Sequence, residues 1–269
     1  MLLTVDISNS HITLGGYEKE KDGCLQENLS FMARLVTETQ RTDDQYAVEL
    51  QQILRLYHIH PHQIDDVILA SVVPDLNTTF CQAVKKTTGR IPLLVGPGVK
   101  TGLNIRIDNP AQLGADLVAG AVAAIAKYPL PCIVFDLGTA TTVSVLDAQG
   151  IFIGGVICPG ITLTLNALAS KTALLPHISI EKPQTVIGTN TIHSMQSGSL
   201  YGAAAMIDGL AQRIEQELGG SATLVATGNL AEIVVSACSR TIHVCEHLLL
   251  EGLKRIYLKN KKDRIPPIQ

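Results

Sequence analysis

Twice in this chain a short apolar strand ends in an aspartate and a turn of small hydroxylic residues, and a second strand follows at once. The first copy runs Leu2-Leu3-Thr4-Val5 into Asp6-Ile7-Ser8-Asn9-Ser10, then His11-Ile12-Thr13-Leu14-Gly15-Gly16. The second runs Cys132-Ile133-Val134-Phe135 into Asp136-Leu137-Gly138-Thr139-Ala140-Thr141-Thr142, then Val143-Ser144-Val145-Leu146-Asp147. A Gln149-Gly150 turn and another strand-like run, Ile151-Phe152-Ile153-Gly154-Gly155, follow it. Apolar runs of this length bounded by turn residues read as buried strands, and the pattern as a hairpin. Glycine lets a backbone approach a ligand closely, and hydroxyls and backbone N–H groups bind phosphate oxygens. A carboxylate at the strand end can hold a cation beside them. One such turn is ordinary; two in one chain point to a nucleotide clamp.

The chain has 269 residues, enough for one large domain or two small ones. Hydrophobic residues make up 46%, aromatics only 4%, and Trp is absent, so Ala, Val, Ile and Leu must build the core. That suits a layered α/β protein. A net charge of −3 argues against a nucleic-acid-binding face. Lys254, Arg255, Lys259, Lys261, Lys262 and Arg264 are expected to lie on a solvated last helix and frayed tail. No apolar run reaches membrane-span length and no secretory leader opens the sequence, so a cytoplasmic location is expected. Six scattered cysteines read mostly as buried thiols. His58, His60 and His62 read as a loop around Pro61 rather than a metal site.

Along the chain, Thr42 with Asp43-Asp44 predicts a helix start, and Val67 to Val73 a buried strand stopped by Pro74. A short helix over 80–88, a strand over 91–95 and a helix over 110–126 follow. The second hairpin is followed by a helix over 161–170, a long one over 194–218, a strand over 223–227 and a last helix over 248–259. Each half therefore opens on an Asp-bearing hairpin and continues as α/β, a duplication of architecture without a visible sequence repeat. The predicted division is 1–126 and 127–269, at the break Lys127-Tyr128-Pro129-Leu130-Pro131.

Two such hairpins facing one another resemble the phosphate clamp of sugar-kinase, actin and Hsp70-type ATPases. More specifically, nearly the whole chain resembles the type III pantothenate kinases. The segments that carry this are Gly96-Pro97-Gly98-Val99-Lys100-Thr101-Gly102-Leu103, Gly114-Ala115-Asp116 and the Asp136–Thr142 turn. Gly154-Gly155-Val156-Ile157-Cys158-Pro159-Gly160, Ile187-Gly188-Thr189-Asn190-Thr191, Ser194-Met195-Gln196-Ser197-Gly198, Ala226-Thr227-Gly228-Asn229 and Leu250-Glu251-Gly252-Leu253 complete the set. The resemblance implies a duplicated actin-like α/β fold and an ATP-dependent kinase of pantothenate acting in coenzyme A biosynthesis. It also implies a homodimer, Mg²⁺ with ATP, and a monovalent cation, K⁺ or NH₄⁺. By the same resemblance, Asp6, Ile7, Ser8, Asn9, Ser10, His11, Ile12 and Thr13 form the first ATP loop, and Thr139 contacts ATP from the second. Asp136 holds the monovalent cation and Asp116 is the general base. Ile107, Gly114, Ala115, Asp116, Leu117 and Thr191 line the pantothenate site, and Gly228-Asn229 approach the adenosine.

The residues themselves are compatible with these roles. Phosphoryl transfer to an alcohol needs a carboxylate to orient the hydroxyl and cations on the phosphates. An Asp in a first helical turn such as Asp116, read alone, serves the helix dipole, and Thr191 alone reads as a cap for a helix starting at Ile192. The chain departs from the family where Ser8 and Ser10 replace Gly and Thr, Ile107 replaces Tyr, Leu117 replaces Arg and Asn229 replaces Gly. Losing an Arg contact to a carboxylate costs on the order of 1.5–3 kcal/mol. The ATP half is therefore expected to be serviceable and the acceptor half altered. A kinase acting on a different small alcohol, and a non-catalytic nucleotide-binding regulator, are the alternatives; retention of Asp116, Asp136, Thr139 and Thr191 argues against the second.

Overall fold

The structure, a computed structural model, describes residues 1–20 and 22–261. The first hairpin forms as the pattern predicts: β1 (Leu2–Ile7) pairs antiparallel with β2 (His11–Tyr17), with Asp6 opposite Thr13. A third strand, β3 (Phe31–Val36), extends the sheet beyond β2. Its residues alternate poorly, so no period-2 signal marks it, and it forms because β2 leaves an edge to pair.

The helix α1 (Asp43–Leu56) starts where predicted, with Thr42 and Gln45 exchanging a full capping box. β4 (Asp66–Ser71) then pairs parallel with β1. α2 (Pro74–Thr88) begins six residues earlier than the expected 80, because Pro74 sits in its first turn, where a missing N–H costs nothing. Only Leu93–Leu94 of the strand expected over 91–95 pairs, as β5. The sheet order is β3-β2-β1-β4-β5. Val5, Ile7, Leu69, Tyr46 and Phe80 meet in its core, with the last two rings edge-on at 5.3 Å.

A two-residue strand, β6 (Asn104–Ile105), leads to a 3₁₀ turn at Pro110–Gln112 and then to α3 (Ala115–Lys127). The expected helix over 110–126 is therefore split at Gly114. β7 (Cys132–Leu137), β8 (Ala140–Leu146) and β9 (Ile151–Pro159) form the second hairpin and its third strand. α4 (Ile161–Lys171), α5 (Thr191–Leu218), β10 (Thr223–Thr227), α6 (Ala231–Val235), β11 (His243–Val244) and α7 (Leu248–Asn260) complete the chain. The second sheet has the order β11-β10-β7-β8-β9-β6. Read from β9 to β11 it repeats β3-β2-β1-β4-β5 strand for strand, which is the duplication that the two Asp-bearing turns announce. The extra strand, β6, pairs parallel with β9.

The compact units do not divide at one point between residues 126 and 127. One holds Met1–Gly102, Ala111–Ala123 and the described residues from Leu249 onward; the other holds Leu103–Pro110 and Ala124–Leu248. The reason is that α7 returns to the first unit. The side chain of Asn260 exchanges two hydrogen bonds with the backbone of Lys100, 3.1 and 2.9 Å. Lys254, only 8% exposed, donates to the carbonyls of Gln26 and Glu27 and lies 4.4 Å over the Tyr17 ring. The expected solvated basic helix is thus wrong for Lys254: its ammonium is held by carbonyls and an aromatic face. Lys259 and Lys261 are exposed; Lys262 and Arg264 lie outside the described residues.

All six cysteines are free thiols, but only Cys132 and Cys245 are buried, and Cys24 is exposed. Burial pushes the Cys132 thiol up to about 12. His60 and His62 stack at 5.4 Å around a 3₁₀ turn at Pro61–Gln63.

Candidate active site

In the first unit the β1–β2 turn is closed by the Ser8 N–H donating to the His11 carbonyl at 3.0 Å. The Ser8 hydroxyl donates to Oδ2 of Asp6 at 2.9 Å. The residue after β3, Thr37, secures the turn from outside: its hydroxyl donates to the Ser8 carbonyl at 2.7 Å, and its N–H to the Ser10 carbonyl at 3.1 Å. Among the described residues His58 alone of the non-glycines has a positive φ, so Ser8 needs no glycine-like backbone. Ile7 and Ile12 are fully buried in the core and can offer a ligand only their backbone. Asn9 is exposed, and Ser8, Ser10, His11 and Thr13 are half-buried.

Val72, just past β4, donates its N–H to the Ile7 carbonyl at 3.0 Å. The same side chain lies against Gly114: a Cβ placed there would sit 3.5 Å from Val72 Cγ1. The first loop and the segment Gly114-Ala115-Asp116-Leu117 therefore share one end of the sheet, the carboxyl end of the parallel pair β1 and β4. Open α/β sheets bind ligands at that end. Asp116 is half-buried in the first turn of α3, and its Oδ1 accepts from the Leu117 N–H at 2.7 Å. Burial pushes its carboxyl above the ordinary 3.8, and the backbone hydrogen bonds only partly oppose this.

In the second unit Asp136 lies opposite Thr142 on β8 and Thr227 on β10. Gly228 follows at φ +94°, a conformation that L side chains avoid. A Cβ there would sit 2.7 Å from the Leu137 carbonyl oxygen and 2.9 Å from Asp136 Oδ1. The end of β7 thus presents a half-buried carboxylate and a carbonyl on one side, a set of oxygen donors suited to a hard cation. Thr139 is exposed at the turn, and its carbonyl accepts from the Gly160 N–H at 3.1 Å. Asn229, next to Gly228, is exposed.

Thr191 is the first residue of α5, not its cap. Asn190 caps the helix, its Oδ1 accepting from the His193 N–H at 2.9 Å. Thr191 lines a cavity of about 710 Å³ between α4 and α5, with Thr164, Leu168, Thr189, Ser194 and Met195. Ile107, half-buried, lies in the same unit just after β6. The structure therefore brings Asp6–Thr13 together with Gly114–Leu117 in the first unit. Asp136, Thr139, Gly228, Ile107 and Thr191 belong to the second.

Sequence reading missed Val72, Thr37 and Asn190. The run that Pro74 stops was a signal for Val72, and an Asn three residues before a helical His was one for Asn190. Thr37 had none, because β3 itself was not visible.

A sequence model described as type III pantothenate kinase matches residues 2–213. The type III pantothenate kinase of Exiguobacterium sibiricum is 40% identical over 262 residues, 97% of this chain and 100% of that protein. That of Shouchella clausii is 41% identical over 262 residues, with the same coverage. Among solved structures, the activator of the 2-hydroxyisocaproyl-CoA dehydratase from Clostridium difficile with bound ADPNP aligns over 100% of this chain and 99% of its own. Its TM-score is 0.53 at 13% identity, a likeness of fold alone. The repeated strand order, the two Asp-bearing turns and these end-to-end matches agree: the fold is the duplicated actin-like one, and the chain belongs to the type III pantothenate kinase family.

Proposed function

We propose that this chain transfers the γ-phosphoryl group of ATP to the 4′ hydroxyl of pantothenate, giving 4′-phosphopantothenate, the first step towards coenzyme A. The observation that carries this reading is the Asp116 carboxylate, desolvated and held beside the first loop through Gly114, Val72 and Ile7. A carboxylate whose pKa burial raises is a better proton acceptor than an exposed one, and general-base assistance contributes about 10²–10⁴-fold. The backbone and hydroxyls of Asp6–Thr13, with Thr139, would hold the phosphates. Mg²⁺ bound with ATP supplies neutralisation of the charge on the transferring group. Asp136, with the Leu137 carbonyl, would hold a monovalent cation, K⁺ or NH₄⁺. Ile107, Gly114, Ala115, Asp116, Leu117 and Thr191 would contact pantothenate, and Gly228-Asn229 the adenosine.

The same reading includes a homodimer in the cytoplasm. Gly198 lines the cavity between α4 and α5, but Gly202 and Ala205 of α5 face outward, and an added Cβ at Gly202 would meet nothing within 4 Å. Packing within one subunit therefore does not explain Gly202 and Ala205. Ile157, Leu174 and Ile187 are 77%, 90% and 83% exposed, an apolar display that a partner copy would cover. No described helix is long and apolar enough to cross a membrane.

The test is a coupled assay for ADP with ATP, Mg²⁺, K⁺ and pantothenate, beside pantothenate analogues and other small alcohols. ADP release that depends on pantothenate is expected. Turnover with another alcohol alone would replace the acceptor, and no turnover with any would leave a nucleotide-binding regulator as the better reading.

A further inference from the structure

We infer that Gly114 and Val72 are positioning residues: together they form the gap that fixes the Asp116 carboxylate in place. This rests on the proposed role of Asp116 as proton acceptor, but the geometry stands by itself. An ideal Cβ on Gly114 would collide with Asp116 Oδ1, the oxygen that also accepts the Leu117 N–H at 2.7 Å. The same Cβ would stand 3.5 Å from Val72 Cγ1. The carboxylate thus occupies the space that any other residue at 114 would fill.

The need for glycine here is spatial. Gly114 is not among the glycines with positive φ, so its backbone suits an L residue. Its carbonyl accepts the Val118 N–H at 3.1 Å, which makes it the residue that caps α3, a place where glycine is also preferred to alanine. Gly120, further along α3, provides the contrast: a Cβ there meets only Leu249 Cδ1, at 3.8 Å. Val72 adds the second constraint. Its N–H is bound to the Ile7 carbonyl at 3.0 Å, so the side chain that backs Gly114 is tied to the strand leading into the first loop. A short run of contacts, Ile7 to Val72 to Gly114 to Asp116, sets where the carboxylate stands relative to that loop. Displacements of about 1 Å in such constellations cost about 10²-fold in rate.

The test uses full-length Gly114→Ala, Val72→Ala and the control Gly120→Ala. The readouts are kcat, the KM for ATP, and the titration of the Asp116 carboxyl followed by carbon NMR on substrate-free protein. Gly114→Ala is expected to lower kcat about tenfold or more, leave the KM for ATP within about twofold, and move the Asp116 titration down towards 3.8. Val72→Ala, which removes atoms and so cannot fail by crowding, is expected to move kcat and titration the same way by a smaller amount. Gly120→Ala should match the wild type throughout. An unmoved Asp116 titration in both Gly114→Ala and Val72→Ala would overturn the inference, whatever happens to kcat. A wild type without pantothenate turnover would remove the proton-acceptor role, while the titration would still decide whether Gly114 and Val72 hold the carboxylate.

Discussion

The hydroxyl of Ser8 donates a 2.9 Å hydrogen bond to Oδ2 of Asp6, two residues earlier in the same turn. Ser8 stands where the family usually has glycine, yet its φ is ordinary and its side chain steadies a carboxylate only 6% exposed. A hydrogen bond to a charged acceptor contributes about 1.5–3 kcal/mol, less where water competes. Ser8→Ala is therefore expected to lower stability by about 1–2 kcal/mol and to raise the KM for ATP. Ser8→Gly should lose the same bond. Thermal midpoints unchanged in both variants would show that the bond contributes nothing.

Asp116→Asn should lower kcat about 10²–10⁴-fold while ATP binding, measured by calorimetry, stays near the wild-type value. Its effect on stability has a definite sign. The folded carboxyl titrates above 3.8, so between that value and the raised one the folded state holds more protons than the unfolded state. Stability then falls as pH rises through this window, and the ionised carboxylate is a burden at neutral pH. Asp116→Asn is expected to melt higher than the wild type at pH 7 and to lose that advantage below about pH 4. Equal midpoints at both pH values would count against a desolvated carboxylate.

Gly228 leaves room for Asp136 Oδ1 and the Leu137 carbonyl, and it does so at φ +94°. If these oxygens hold a monovalent cation, replacing K⁺ by Na⁺ or tetramethylammonium should reduce kcat sharply. Gly228→Ala should raise the K⁺ concentration needed for half-maximal activity and lower stability by more than the about 1–2 kcal/mol of left-handed strain, because its Cβ would also press on the Leu137 carbonyl. Equal rates in the three salts would remove Asp136 from this role.

Leu117→Arg restores the residue that the family places beside its general base. Pantothenate carries a carboxylate, which a guanidinium binds through two parallel hydrogen bonds. A lower KM for pantothenate at unchanged kcat is expected, the mark of uniform binding. A fall in thermal midpoint with no gain in KM would mean that half-buried Leu117 packs in a rebuilt pocket.

Light scattering of the wild type should give the mass of two chains at micromolar concentration. Ile187→Asp, at a position 83% exposed in the single chain, should shift the mass towards one chain without lowering secondary structure by circular dichroism. A two-chain mass in this variant and in Leu174→Asp would move the interface elsewhere.

Strong local signals were legible along the chain. The helix start at Thr42, Asp43 and Asp44, the buried runs of β1, β4, β7 and β10, and both Asp-bearing turns depend on neighbours within a few residues, which a sequence displays directly. The edge strands β3, β5, β6 and β11 were less legible, because pairing with a strand already formed creates them. The position of Lys254 was misread for the same kind of reason. Nothing near it in sequence tells of the Gln26 and Glu27 carbonyls or the Tyr17 ring, more than two hundred residues away.

The sequence by itself determined the chemistry on offer: two Asp-bearing turns of small hydroxylic residues, a third carboxylate in Gly114-Ala115-Asp116, and the family those motifs share. Only the tertiary structure decided what surrounds each group. It placed Val72 between Ile7 and Gly114, turned the Asp116 carboxylate into the space that glycine leaves, and set Gly228 against Asp136. It also opened the cavity between α4 and α5 beside Thr191. Local order follows from backbone geometry and side-chain period, which act over a few residues. Burial, close approach and the shift of a carboxyl's proton affinity arise from atoms brought together from distant parts of the chain, and those exist only once it has folded.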